Sequence, residues 1–136
     1  MSTRSNIDFY EHKPDGGTPF VARLYHHSDG YPSWRMKNIK AMRDLANKGY
    51  DASGGYGYRV NEPDMYDLAA FYVLANKDGP GDVYIDSGPL HEDIEYYYQI
   101  WPEDNVIMVR INNIHSPDET ETGTLAALHS KHVREG

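Results

Sequence analysis

The sequence predicts an α+β domain: an antiparallel sheet, its elements in the order ββααβββ, with two helices packed on one face and a flexible C-terminal tail. Three observations carry this. Period-two alternation of apolar residues occurs near both ends of residues 5–112. Helical spacing is confined to the middle. Breaks rich in Gly, Pro, Asp and Asn separate most of the runs. Strands and helices in separate runs favour helices layered on an antiparallel sheet.

The first strand is Ile7–His12, with Ile7, Phe9 and Glu11 on one side and Asp8, Tyr10 and His12 on the other. Pro14-Asp15-Gly16-Gly17 is a turn, and Thr18–His27 alternates again. Together they read as a hairpin with Ile7, Phe9, Phe20, Ala22 and Leu24 facing the core. Ser28-Asp29-Gly30-Tyr31-Pro32 ends the second strand. Pro32 suits a first helical turn, where its missing N–H costs nothing. Met36, Ile39, Met42, Leu45 and Ala46 then form one apolar stripe, and Gly49 is the expected stop.

Asp51–Tyr58, rich in glycine and tyrosine, reads as a loop. Asn61-Glu62-Pro63-Asp64 is a helix start, since early carboxylates favour the positive end of the helix dipole. The following helix, to Lys77, is apolar on most sides, which predicts a central, buried position. Val83–Asp86, Ile94–Trp101 and Val106–Ile111 read as an antiparallel meander. Tyr96, Tyr98, Ile100, Ile107, Val109 and Ile111 should face the core. Tyr97, Trp101, Val106 and Met108 should face away from it. Residues 1–112 are thus one domain. Residues 113–136 read as a linker and a flexible tail, with a short helix over Thr124–Val133.

The chain has 136 residues and a formal net charge of −8, unevenly placed. Residues 1–60 carry nine Lys/Arg and six Asp/Glu; residues 61–136 carry four and fifteen. An acidic surface repels nucleic acid and attracts basic proteins. There is no cysteine, which excludes disulfides, thiolate zinc sites and a cysteine nucleophile. No segment looks like a signal peptide or a membrane span, so a cytoplasmic protein with no membrane partner is expected.

No motif fixes a catalytic centre. His27, Asp29 and His91 are the candidates for a small metal-dependent hydrolase or other enzyme, but their spacing matches no known ligand pattern. No metal or cofactor is expected. Asp29 also suits a turn or a helix cap. Lys37, Lys40 and Lys48, with Arg35 and Arg43 at the edges, offer a basic helix face for phosphates. The acidic balance of the whole chain argues against that use. Tyr97, Trp101 and Met108, with Glu95 beside them, would make an apolar patch on an otherwise solvated sheet face. Such a patch meets a partner, a second copy of the chain in a homodimer, or the chain's own C-terminal segment.

The stretch ARLYHHSDGYP resembles a Tyr-x-His-x-Asp-Gly-Tyr-Pro motif of a family of small phage- and prophage-associated proteins. The matching residues are Tyr25, His27, Asp29, Gly30, Tyr31 and Pro32, followed later by Glu95-Tyr96-Tyr97-Tyr98. The likeness spans most of residues 5–112. It departs at Ser28, where the family has an aromatic residue. It brings no catalytic residues. What it implies is a viral or mobile-element setting in a host cytoplasm, where small acidic proteins bind host proteins. The expected function is therefore an acidic protein-binding module acting through its sheet face, inhibiting a host defence protein.

Overall fold

The computed structural model describes residues 3–15, 17–52, 64–79, 82–90 and 92–133. Among these residues, six strands form one sheet: β1 (Ser5–Phe9), β2 (Ala22–His26), β3 (Tyr84–Ile85), β4 (Tyr96–Glu103), β5 (Val106–Asn113) and β6 (Glu121–Thr124). Three helices accompany it: α1 (Pro32–Ala52), α2 (Met65–Asn76) and α3 (Leu125–His132). The strand order is β3-β2-β1-β4-β5-β6, and all pairings are antiparallel except β1 with β4. The α+β class is the one read from the sequence, and the first seven elements follow the expected ββααβββ order, with β6 and α3 added after them.

β1 occupies the centre because it is buried on both faces along its whole length. Ile7 and Phe9 enter the helix-side core with Leu24, Tyr98, Ile100, Ile107, Val109 and Ile111. Met36, Ile39, Met42 and Ala46 of α1 close onto them, as do Met65, Leu68 and Tyr72 of α2. Asp64 caps α2, its carboxylate accepting from the Tyr66 and Asp67 amides at 3.0 and 3.3 Å.

Four details differ from the sequence reading. Phe20 lies before β2 and is 43% exposed, its ring under the Arg23 guanidinium rather than in the core. α1 passes through Gly49 and ends at Ala52, since a glycine stops a helix only where the chain turns left-handed. The glycine and tyrosine residues 53–58 lie outside the described residues. β3 is at the far edge beside β2, not in a meander with β4, because Leu24 and Tyr25 take Ile85 and Tyr84 as partners.

The fourth difference is the C-terminal segment, which is part of the fold and not a flexible tail. β6 pairs with β5 from Met108 to Ile111, and Leu125, Leu128 and Val133 join the core. Thr124 caps α3, its hydroxyl accepting from the Ala127 amide at 3.0 Å. A helix of eight residues is marginal alone, so this burial stabilises it.

Candidate binding cleft

The strand phases hold, but the expected docking patch does not form. Trp101 points away from the helices and is 0% exposed. Arg110 lies 5.2 Å from the centre of its ring and donates to the Pro14 carbonyl at 3.3 Å. Pro14, in the connection between β1 and β2, is itself buried. Arg110 Nε also donates to Thr122 Oγ1 of β6 at 3.3 Å, so Arg110 joins this face to both the β1–β2 connection and the C-terminal segment. Tyr97 and Met108 are half-buried, and Glu95 is a partly exposed residue just before β4.

The second sheet face is instead a polar network. Arg23 grips Asp8 through Nε and Nη2 at 2.7 Å each. Tyr97 donates to the same carboxylate at 2.6 Å, and the Tyr10 hydroxyl lies 2.6 Å from that of Tyr97. Burial first, and then the Asp8 carboxylate, push the Tyr97 hydroxyl far up, so it stays protonated. Gln99 donates to Tyr10 at 3.2 Å and accepts from Asn112 at 3.1 Å. These bonds satisfy one another and hold the face shut.

The enzyme candidates do not converge either. His27 is exposed, with Nδ1 3.2 Å from the Tyr25 hydroxyl. His91 lies outside the described residues. Asp29 is exposed and takes φ +58°, the left-handed bend of the turn. The turn is held by Gly30, whose amide donates to Thr3 O at 2.9 Å, and by Tyr98, which donates to Gly30 O at 2.5 Å. Arg35 Nη2 completes it, donating to Ser28 O at 2.8 Å. Residues 27–31 therefore build the turn between β2 and α1. Among the described residues, no three His, Asp or Glu side chains gather as a cation site.

Arg35 is 1% exposed and cannot contact phosphates. It stands on the apolar stripe, four residues before Ile39. That register was the signal for burial, and reading Arg35 as an edge residue missed it. Lys40 is paired with Asp44, and Lys37 sits over the Trp34 ring. His26 is buried against Tyr72, its Nε2 2.7 Å from the hydroxyl. Burial, and next the Arg35 charge, hold its imidazole down at about 3.

A cleft of about 440 Å³ opens on the helix side. Pro32, at the start of α1, stands on one side, and β4, β5, the short Pro117–Glu119 turn and α3 complete it. Tyr96 and Ile111 line it; Tyr96 stacks on Tyr98 at 6.3 Å and meets Tyr31 edge-on at 6.4 Å. Tyr31 is 50% exposed. The turn supplies Asp118 and Glu119, both exposed, and Asn113 donates to Glu119 Oε2 at 3.2 Å. Asn113 also accepts from the amides of His115 and Ser116 at 3.2 and 3.1 Å, which fixes the turn.

Glu121 forms the third acidic side and is engaged from α3. Lys131 pairs with it, and His132 Nε2 lies 2.6 Å away. Burial alone would raise its carboxyl, but the bonds from Lys131 and His132 outweigh that and hold it below its ordinary value. Burial, followed by the Glu119 charge, raises the Tyr96 hydroxyl. Asp118 and Glu119 thus present negative charge beside two aromatic rings. The sequence reading missed this site because residues 117–121 looked like a polar linker. Three acids in the five residues Pro117–Glu121 were the available signal.

No helix among the described residues is long and apolar enough to cross a membrane. No protein-family model matches the chain, and no curated protein or solved structure matches it either.

Proposed function

We propose that this protein is a small acidic protein-binding module that receives a basic segment of a partner in the cleft beside Tyr96. One observation carries the reading: the Asp118 and Glu119 carboxylates line the same cleft as Tyr96, with the exposed Tyr31 ring against it. A Lys or Arg side chain gains there from two carboxylates and from the faces of the rings. The net charge of −8 draws such a partner in from a distance. The likeness of the Tyr25–Pro32 turn to phage-associated proteins supports a host protein, including a defence protein, as that partner.

The test is titration of the purified protein with Arg- and Lys-rich peptides, with an acidic peptide as control. Binding should weaken as salt rises from about 50 to 500 mM, because exposed charges more than a Debye length apart are screened. Glu119→Lys should lower affinity at least tenfold. Binding indifferent to salt and to Glu119→Lys, or no binding of any basic peptide, overturns the reading.

A further inference from the structure

The cleft beside Tyr96 already holds one cation, and that cation belongs to the chain. Lys131 and His132, in the last turn of α3, line it together with Asp118, Glu119 and Glu121. Lys131 pairs with Oε1 of Glu121, and His132 Nε2 lies 2.6 Å from Oε2. Both oxygens of Glu121 are thus engaged. Glu119 accepts from the neutral Asn113 amide at 3.2 Å. Among the described residues, no basic side chain pairs with Asp118 or Glu119.

The Lys131 pair is not what holds α3 in place. Leu125, Leu128 and Val133 do that from the core. The Lys131 side chain is 62% exposed, and a pair so open to water adds little to stability. Its effect falls on the cleft, where it neutralises one carboxylate of three.

Taking the cleft as the site of a basic segment, we infer that Lys131 sets its specificity, as a built-in competitor for Glu121. The cleft then takes a segment through one basic side chain, seated by Asp118, Glu119 and the Tyr96 ring. A second cation reaches Glu121 only by displacing Lys131. That exchange trades one ion pair for another and gains nothing, and the displaced ammonium repels the incomer. Without the Lys131 charge, a second cation pairs with Glu121 and no exchange is needed.

Calorimetric titration of the full chain tests this, with two end-blocked peptides of otherwise neutral sequence. One carries a single arginine, the other two arginines flanking one glycine. The wild-type chain should bind them with similar affinity, apart from the doubled chance of a match. Lys131→Met keeps the stem and removes the charge. It should raise affinity for the two-arginine peptide relative to the other by roughly fivefold or more, since the gain is one new ion pair. Lys131→Arg should keep the wild-type ratio. Thermal midpoints of both variants should match the wild type, because the pair is exposed.

A wild-type chain that already favours the two-arginine peptide strongly overturns the inference. So does a Lys131→Met chain whose ratio is unchanged, including an equal gain for both peptides. In either case the cleft still binds a basic segment, and only the role of Lys131 falls. If neither peptide binds, with or without Lys131→Met, the role of Lys131 and the cleft reading fall together.

Discussion

Arg23 meets Asp8 through two parallel bonds, Nε to Oδ1 and Nη2 to Oδ2, each 2.7 Å long, beneath the sheet's second face. The Asp8 side chain is 0% exposed and that of Arg23 is 10% exposed. The paired carboxylate raises the guanidinium beyond its already high ordinary value, first through the hydrogen bonds. Removing one member leaves the other charged and buried without its counter-charge. Asp8→Asn is expected to cost about 3–5 kcal/mol in a urea titration. Replacing both residues by apolar ones of similar size should cost far less than the two single changes added together.

His26 makes stability depend on pH. Its imidazole titrates at about 3 in the fold, against an ordinary value of 6.5 when unfolded. Between those values the unfolded chain holds a proton that the folded chain lacks. Stability from this group is complete above pH 6.5 and falls as the pH drops toward 3, by at most about 1.4 kcal/mol per unit. Denaturant titrations at pH 7 and pH 4.5 should show this loss. His26→Gln should flatten it while keeping a bond to the Tyr72 hydroxyl.

Gly30 sits where the chain passes the N-terminal segment. A Cβ there would lie 2.9 Å from the Thr3 carbonyl oxygen and 3.1 Å from Ser5 Cβ. Gly30→Ala therefore forces backbone apart and is expected to cost about 1–3 kcal/mol. Asp29 bears φ +58° beside it, a strain that glycine does not feel. Asp29→Gly should be neutral or stabilising by up to about 1 kcal/mol by thermal melting, the result expected of a turn residue.

Truncation after residue 116 should unfold the protein rather than trim it. It removes β6 and the buried residues Leu125, Leu128 and Val133. Leu128→Ala alone should cost about 2–4 kcal/mol. Limited proteolysis of the intact chain should spare the connection from β6 to α3.

The sequence was most legible where a side chain has only two choices of direction. The period of two placed Tyr98, Ile100, Val109 and Ile111 inward and Tyr97 and Trp101 outward, as observed. It could not say what lies over the outward set, because the covering loop carries Pro14 and no periodic pattern. The neighbours of β1 were equally hidden. Its parallel contact with β4 joins residues about ninety positions apart, and no local signal encodes such a pairing. β6 reads Glu-Thr-Gly-Thr, too short and polar to alternate visibly. Arg35 and the cleft acids were misread for the opposite reason: charged residues were assigned to solvent before their helical register or turn geometry was weighed.

The pairing of Ser5 with Tyr96 sets the timing of assembly during synthesis. β1 leaves the ribosome about ninety residues ahead of β4, one of its two flanking strands. Until β4 follows, Ile7 and Phe9 have only β2 and the helices for shelter, and one rim of β1 stays open to any extended strand. Nascent chains should therefore need protection until β4 is released, and pairings between distant residues are slow to form.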